Sequence, residues 1–238
     1  MEPESLFAGT QGHALCASEL AALAPELAGL HGEHGLFVRA DASAPHALSA
    51  PMLGRWWRLH ARDRHGLRGD AICGADELPF ADDTFRVVLI QHAADVLDAR
   101  RVDAFRQEIG RVLAPEGLAV IVGLHPVSLW RPWLRRRRRG AEPALVHDSV
   151  SAWRRALARH GVDVYALRRL GPFWPRSAPV DALPSLPPWR RLSGLLRPSF
   201  VLLARKRRVG ARPVRPAARR DEYALRPSLA AAALRHRA

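Results

Sequence analysis

Two short, almost unbroken apolar runs, Val87-Val88-Leu89-Ile90 and Leu118-Ala119-Val120-Ile121-Val122, constrain the fold of this 238-residue chain more than any other feature. A strand with one face in water alternates polar and apolar residues. A run without alternation is buried on both faces, as in a parallel sheet covered by helices. Between the two runs, Val102, Phe105, Ile109, Val112 and Leu113 recur at three- and four-residue spacing. They predict an amphipathic helix over 102–113, ended by Pro115-Glu116-Gly117. Strand, helix, strand is a βαβ unit, and the fold class follows: an α/β protein with a Rossmann-like open, mostly parallel sheet and helices on both faces.

The rest of the chain extends that pattern. Leu20, Leu23, Leu27 and Leu30 predict an opening helix with Ser18 as its cap. Short strands are expected at Leu36–Ala40, Trp56–His60 and, after a glycine break over Gly66 to Gly69, Ala71–Cys73. A helix over Ser149–His160 and a strand over Val162–Leu167 follow, then a Pro-rich loop or lid from Pro172 to Pro198 and a last, antiparallel strand at Phe200–Ala204. Residues 1–204 are expected to form one domain and 205–238 a basic, disordered tail.

Composition narrows the function classes. The two cysteines, Cys16 and Cys73, share no metal-ligand spacing and are too few for a disulfide scaffold, which suits a reducing compartment. No metal site is expected either at His31-Gly32-Glu33-His34, whose i, i+3 histidines flank a glycine. The longest apolar stretch falls far short of the roughly 20 residues a membrane span needs, and the Met1-Glu2-Pro3-Glu4 start is acidic where a secretory signal is basic. A cytoplasmic protein without a transmembrane segment is expected. Charge is divided sharply: residues 1–130 carry 11 basic and 17 acidic side chains, residues 131–238 carry 26 and 6. The second half, with the run Arg135, Arg136, Arg137, Arg138 and Arg139 beside Trp130 and Trp133, points to nucleic acid or an anionic membrane surface as a partner.

The segment Ala75-Asp76-Glu77-Leu78-Pro79-Phe80-Ala81-Asp82-Asp83-Thr84-Phe85-Arg86-Val87-Val88 resembles the middle of the class I S-adenosylmethionine-dependent methyltransferases, in particular their type-11 group. Gln91-His92 after the strand, Glu108-x-x-Arg111-Val112-Leu113-Ala114-Pro115-Glu116-Gly117 closing the helix, and His125-Pro126 after the next strand fit in order and spacing. The layout is similar to a small proteobacterial branch of that group. It departs from the wider family after the first strand, where Gly-x-Gly-x-Gly is replaced by the glycine-free Asp41-Ala42-Ser43-Ala44-Pro45-His46-Ala47. Gly74 stands where relatives often carry an aspartate, with Asp76 and Glu77 beside it.

The resemblance implies S-adenosyl-L-methionine as cofactor and an uneven site. Asp76, Glu77 and Leu78 would lie along the adenine, with a carboxylate accepting from the exocyclic amine and the backbone framing the ring. Asp63 falls where a ribose-binding carboxylate would. Gln91 and His92 would stand at the carboxyl end of the fourth family strand, with His92 as general base. Methyl transfer needs little beyond proximity and in-line alignment, because the sulfonium is a good leaving group. The function implied is methyl transfer to a small molecule or a nucleic acid. The rival is a catalytically inactive methyltransferase-like protein that engages nucleic acid or anionic membrane through its Arg-rich half.

Overall fold

In this computed structural model the described residues are 7, 9–44, 48, 50–128, 130–137, 149–171 and 197–207. In chain order they form α1 (Thr10–Ala28), β1 (Gly32–Arg39), β2 (Leu53–Ala61), β3 (Gly66–Gly69), β4 (Cys73–Gly74), β5 (Phe85–Gln91), α2 (Ala93–Val96), α3 (Ala99–Val112), β6 (Leu113–Leu124), α4 (Trp130–Arg137), α5 (Val150–Ala158), β7 (Val162–Leu170) and β8 (Ser199–Lys206). The strands make one eight-stranded sheet in the order β4-β3-β2-β1-β5-β6-β8-β7. β1 pairs in parallel with β2 and β5, and β5 with β6. β8 runs antiparallel to both β6 and β7, as expected of the last strand.

The two apolar runs are the central strands β5 and β6, and they feed both faces at once. Val88 and Ile90 belong to one core cluster, with Val102, Phe105 and Ile109 of α3 and Trp153 and Leu157 of α5. Val87 and Leu89 belong to the other, with Leu20, Leu23 and Leu27 of α1. Helices therefore cover both faces of a mostly parallel sheet, which is why neither strand alternates. Asp98 caps α3 by accepting from the Arg100 N–H at 3.0 Å, and Ser149 caps α5 by accepting from Ala152.

Several boundaries differ from expectation. α1 begins at Thr10, eight residues before Ser18, whose hydroxyl instead donates to the Leu15 carbonyl inside the helix. The glycine break at 66–69 is the strand β3, an antiparallel partner of β2 and β4. α3 passes directly into β6, with Glu116 taking a left-handed φ of 62° where a helix stop was expected. β8 runs to Lys206 and so takes Arg205 and Lys206 from the expected tail. Lys206, the only lysine, donates to Asp83 and to the Gly110 and Leu113 carbonyls, tying β8 to the foot of α3. The Pro-rich segment 172–196, the side chains of Arg135–Arg137, Arg138, Arg139 and residues 208–238 lie outside the described residues, and with them the expected lid, tail and basic partner surface.

Glu108 and Arg111 lock the turn that returns the chain from β4 to β5. Arg111 donates to the Leu78 and Phe80 carbonyls and to Asp82, while Glu108 accepts from the Leu78 N–H at 2.8 Å and from Arg111. Burial pushes the Glu108 carboxyl up, but the Arg111 and Leu78 bonds outweigh it and hold the group below its ordinary range. A carboxylate with a depressed folded-state pKa stabilises above its unfolded value, and that stabilisation is lost as pH falls through the folded one. Glu108→Gln is therefore expected to lower Tm near neutrality and to flatten the acid limb of the Tm–pH profile below about pH 4.5. An unchanged acid limb would remove Glu108 from the linkage.

Candidate active site

Chain order reverses at β1: β2 lies on one side of it and β5 on the other. In open parallel sheets ligands bind outside the carboxyl ends of the strands at that switch point. Here those ends are Arg39-Ala40-Asp41 after β1 and Gln91-His92 after β5. A cavity of about 470 Å³ lined by Glu116, Asp163, Tyr165, Arg205, Lys206 and Arg207 opens at the opposite, amino edge, away from this position.

The β1–β2 connection shapes the edge. It has no helix among its described residues. Asp41 closes a tight turn by accepting from the Ser43 N–H at 3.1 Å and hydroxyl at 2.8 Å. Beneath it the buried Arg39 guanidinium donates to the Ala42 and Ala44 carbonyls. Residues 41–44, the described part of the loop after β1, are thus pinned by side chains.

β5 delivers Gln91 and His92 to the crevice, and α1 lies across them. His92 is fully buried and has a left-handed backbone, φ 55°. Its Nδ1 meets Asp95 Oδ2 at 2.9 Å, and its Nε2 meets the Glu19 carboxylate at 3.0 and 3.1 Å. Burial pushes the imidazole pKa down, but Glu19 and Asp95 outweigh it and raise it to about 10. Gln91 donates to Glu19 and to the Cys16 carbonyl, Ser199 of β8 donates to Glu19, and Leu124 N–H donates to Asp95. Phe7 stacks on the imidazole with centroids 4.4 Å apart and planes at 18°. Phe7, Leu15, Cys16, Ala40, Ala44, Leu124, Trp130 and Leu134 complete an apolar cover.

That cover depends on a close approach. A Cβ at Gly12 would lie 2.2 Å from the Phe7 carbonyl oxygen. Gly12→Ala is expected to lift Phe7 off His92 and cost about 1–3 kcal/mol, read by urea unfolding and faster amide exchange in the first turns of α1. A variant as stable and protected as the parent would mean that Phe7 does not seat there.

The expected site residues are distributed unevenly. Asp76 and Glu77 are exposed on the turn after β4, and Asp76 pairs with Arg101 at 2.6 Å. Asp63 is the turn former of the β2–β3 hairpin, its Oδ1 accepting from the His65 and Gly66 N–H groups and its Oδ2 from Arg62. Leu78 is a core residue whose N–H and carbonyl are taken by Glu108 and Arg111. The Ala75 N–H donates to the His65 carbonyl at 3.0 Å. Gln91 and His92 do come together, sealed from solvent, with both imidazole nitrogens held by carboxylates, so His92 is not placed as a solvent-facing general base. Glu19, Asp95 and Ser199 were not anticipated. Glu19 had a signal, since it falls on the apolar stripe between Leu15 and Leu23.

Residues 47–121 match the family described as "Methyltransferase domain". Over those residues the chain is similar to a methyltransferase domain, and its sheet has the corresponding fold. A candidate methyltransferase from Bacillus halodurans is 17% identical, with 80% of this chain and 100% of that one covered at a TM-score of 0.51. A chain of the complex between the Haloferax volcanii Trm112 methyltransferase activator and a candidate methyltransferase is 13% identical, with 85% and 94% covered at a TM-score of 0.53. A search of curated proteins found no significant match. That family match implies S-adenosylmethionine as the cofactor. Asp76 and Glu77 are exposed, with Asp76 already paired with Arg101. The β1/β5 crevice does not fit the cofactor's methionine end with α1 in place, because Cys16, Glu19 and Phe7 occupy it and Arg39 holds the Ala42 and Ala44 carbonyls beside it.

Proposed function

We propose that the chain is an S-adenosylmethionine-dependent methyltransferase whose acceptor, a small molecule or a nucleic acid, approaches the carboxyl edge of the sheet. The observation that carries this reading is the domain match over 47–121, which runs from β2 into β6 and includes the Asp76-Glu77 turn at the carboxyl edge of the sheet. Calorimetric titration of ligand-stripped protein with S-adenosylmethionine and S-adenosylhomocysteine tests it. Micromolar binding, with α1 displaced from the crevice, is the result expected of this reading, and the double substitution Asp76→Ala with Glu77→Ala is expected to weaken it about tenfold or more, the loss of one charge-assisted hydrogen bond. Affinity unchanged by that substitution removes the two carboxylates from the site.

The sealed crevice favours a second reading, a methyltransferase-like protein that transfers no methyl group and works through its Arg-rich half on nucleic acid or anionic membrane. Absence of binding at millimolar cofactor supports it. Affinity for a polyanion should then fall steeply from low to high salt, about one counterion per phosphate contact, and fall again when residues 208–238 are removed. Salt-independent binding would sink this second reading.

A further inference from the structure

We propose that Cys16, Glu19 and His92 form a zinc site that clamps α1 onto the carboxyl edge of the sheet. Their Sγ, carboxylate oxygen and ring nitrogen all lie within 4.8 Å of one another, and all three side chains are buried. Cys16 and Glu19 stand at i, i+3 on α1, so one helix face presents both donors. His92 supplies the third from the end of β5. Its left-handed backbone costs about 1–2 kcal/mol for a residue with a Cβ, a strain that in folded proteins clusters at ligand sites.

The surroundings of His92 are those of a metal ligand. Asp95 holds Nδ1 at 2.9 Å and is itself held by the Leu124 N–H at 2.9 Å, which aims Nε2 at the other two donors. A carboxylate behind a ligating imidazole fixes its tautomer and raises its basicity. A second, independent sign is Gln91: it is 1% exposed, its amide nitrogen bonds both Glu19 and the Cys16 carbonyl, and its buried Oε1 is left without a hydrogen-bond partner. Ser199, already bonded to Glu19, is the nearest further oxygen donor from β8.

Thiolate, imidazole and carboxylate together select zinc over the hard cations, which take all-oxygen sets, and three protein donors leave a fourth position of the tetrahedron to Ser199 or water. The exchange balances. Zinc replaces two protons, one from the Cys16 thiol and one from the hydrogen bond between His92 and Glu19, so the buried charge is unchanged and both protons leave to solvent. The same side chains line the crevice that the cofactor's methionine end would need, so a bound zinc and an open crevice exclude one another.

The test uses chelator-stripped, full-length protein and Zn²⁺ alone, followed by elemental analysis, calorimetry and thermal shift, with Co²⁺ as a spectroscopic probe. One equivalent is expected, with a raised Tm and a thiolate-to-cobalt charge-transfer band. Cys16→Ser should weaken binding about a hundredfold and abolish the band, Asp95→Asn should weaken it about 10–100-fold, and Cys73→Ser should change neither. No saturable binding, binding that survives Cys16→Ser, or binding lost with Cys73→Ser overturns the proposal. If Cys16→Ser does not fold, the parent's cobalt spectrum decides, and one lacking the thiolate band overturns it. Zinc is read here without the cofactor, so the outcome does not depend on methyl transfer.

Discussion

Replacing His92 by leucine is expected to remove about 3–5 kcal/mol of folding stability in metal-free buffer, the cost of breaking a buried ion pair by deleting one partner. The imidazole is the only cation paired with Glu19 and Asp95 among the described residues, and its side chain and theirs are 0% exposed. Leucine fills similar volume, so the loss reports the stranded carboxylates and not a cavity. Solvation cannot rescue them while α1 and Phe7 stay in place. The variant should unfold at lower urea. Companion substitutions Glu19→Gln and Asp95→Asn, made together with His92→Leu, should restore stability toward the parent, because buried charge and not lost packing is the main cost. A His92→Leu variant within about 1 kcal/mol of the parent would mean that the network is hydrated in solution, a surface-like value for an ion pair.

Trp153→Ala is expected to be nearly as severe, about 3–5 kcal/mol, from lost transfer energy plus the cavity left behind. Trp153 is 0% exposed and is the largest side chain α5 puts into the core. It meets Phe105 of α3 edge to face, with ring centroids 6.4 Å apart, and the Arg106 guanidinium lies 5.6 Å from its ring. With Ala156 and Leu157 as the only other buried residues of that helix, removal of the indole leaves α5 little to hold it on the sheet. Urea unfolding should show the lower midpoint, and amide exchange should rise first in residues 150–158. Protection of α5 equal to the parent's would show that the helix is held by its connections and not by the indole.

Much of the sheet was legible because its signals are local. Val87–Ile90 and Leu118–Val122 lack alternation since both faces of β5 and β6 are covered. Ser149 reads as a cap and acts as one. β3 was hidden because Gly66-Leu67-Arg68-Gly69 has the composition of a turn. Only its pairing with β2 and β4, neither of which a period within Gly66–Gly69 reveals, makes it a strand, and Leu67 is buried there. α1 was misplaced at its start for the opposite reason: Thr10 to Ala17 carries a weak apolar stripe of its own, and it is helical because Leu15 and Cys16 are covered by Trp130 and Leu134, more than 100 residues further on.

The site divides in the same way. Asp76, Glu77, Gln91 and His92 could be placed at the ligand-binding edge from motif order alone, since the distance from a strand to the loop after it is short in sequence. What surrounds them could not. Glu19 reaches His92 across 73 residues and Ser199 reaches Glu19 across 180. Asp63, which sequence position offers to a ribose, is consumed by its own hairpin turn. Apolar periodicity, capping residues and motif spacing therefore determined the α/β architecture and its ligand-binding edge, because each depends on neighbours within about one helix or strand length. Only the tertiary structure decided that α1 closes that edge over a buried Glu19–His92–Asp95 network, because burial and the partners of a charge are properties of where distant segments meet.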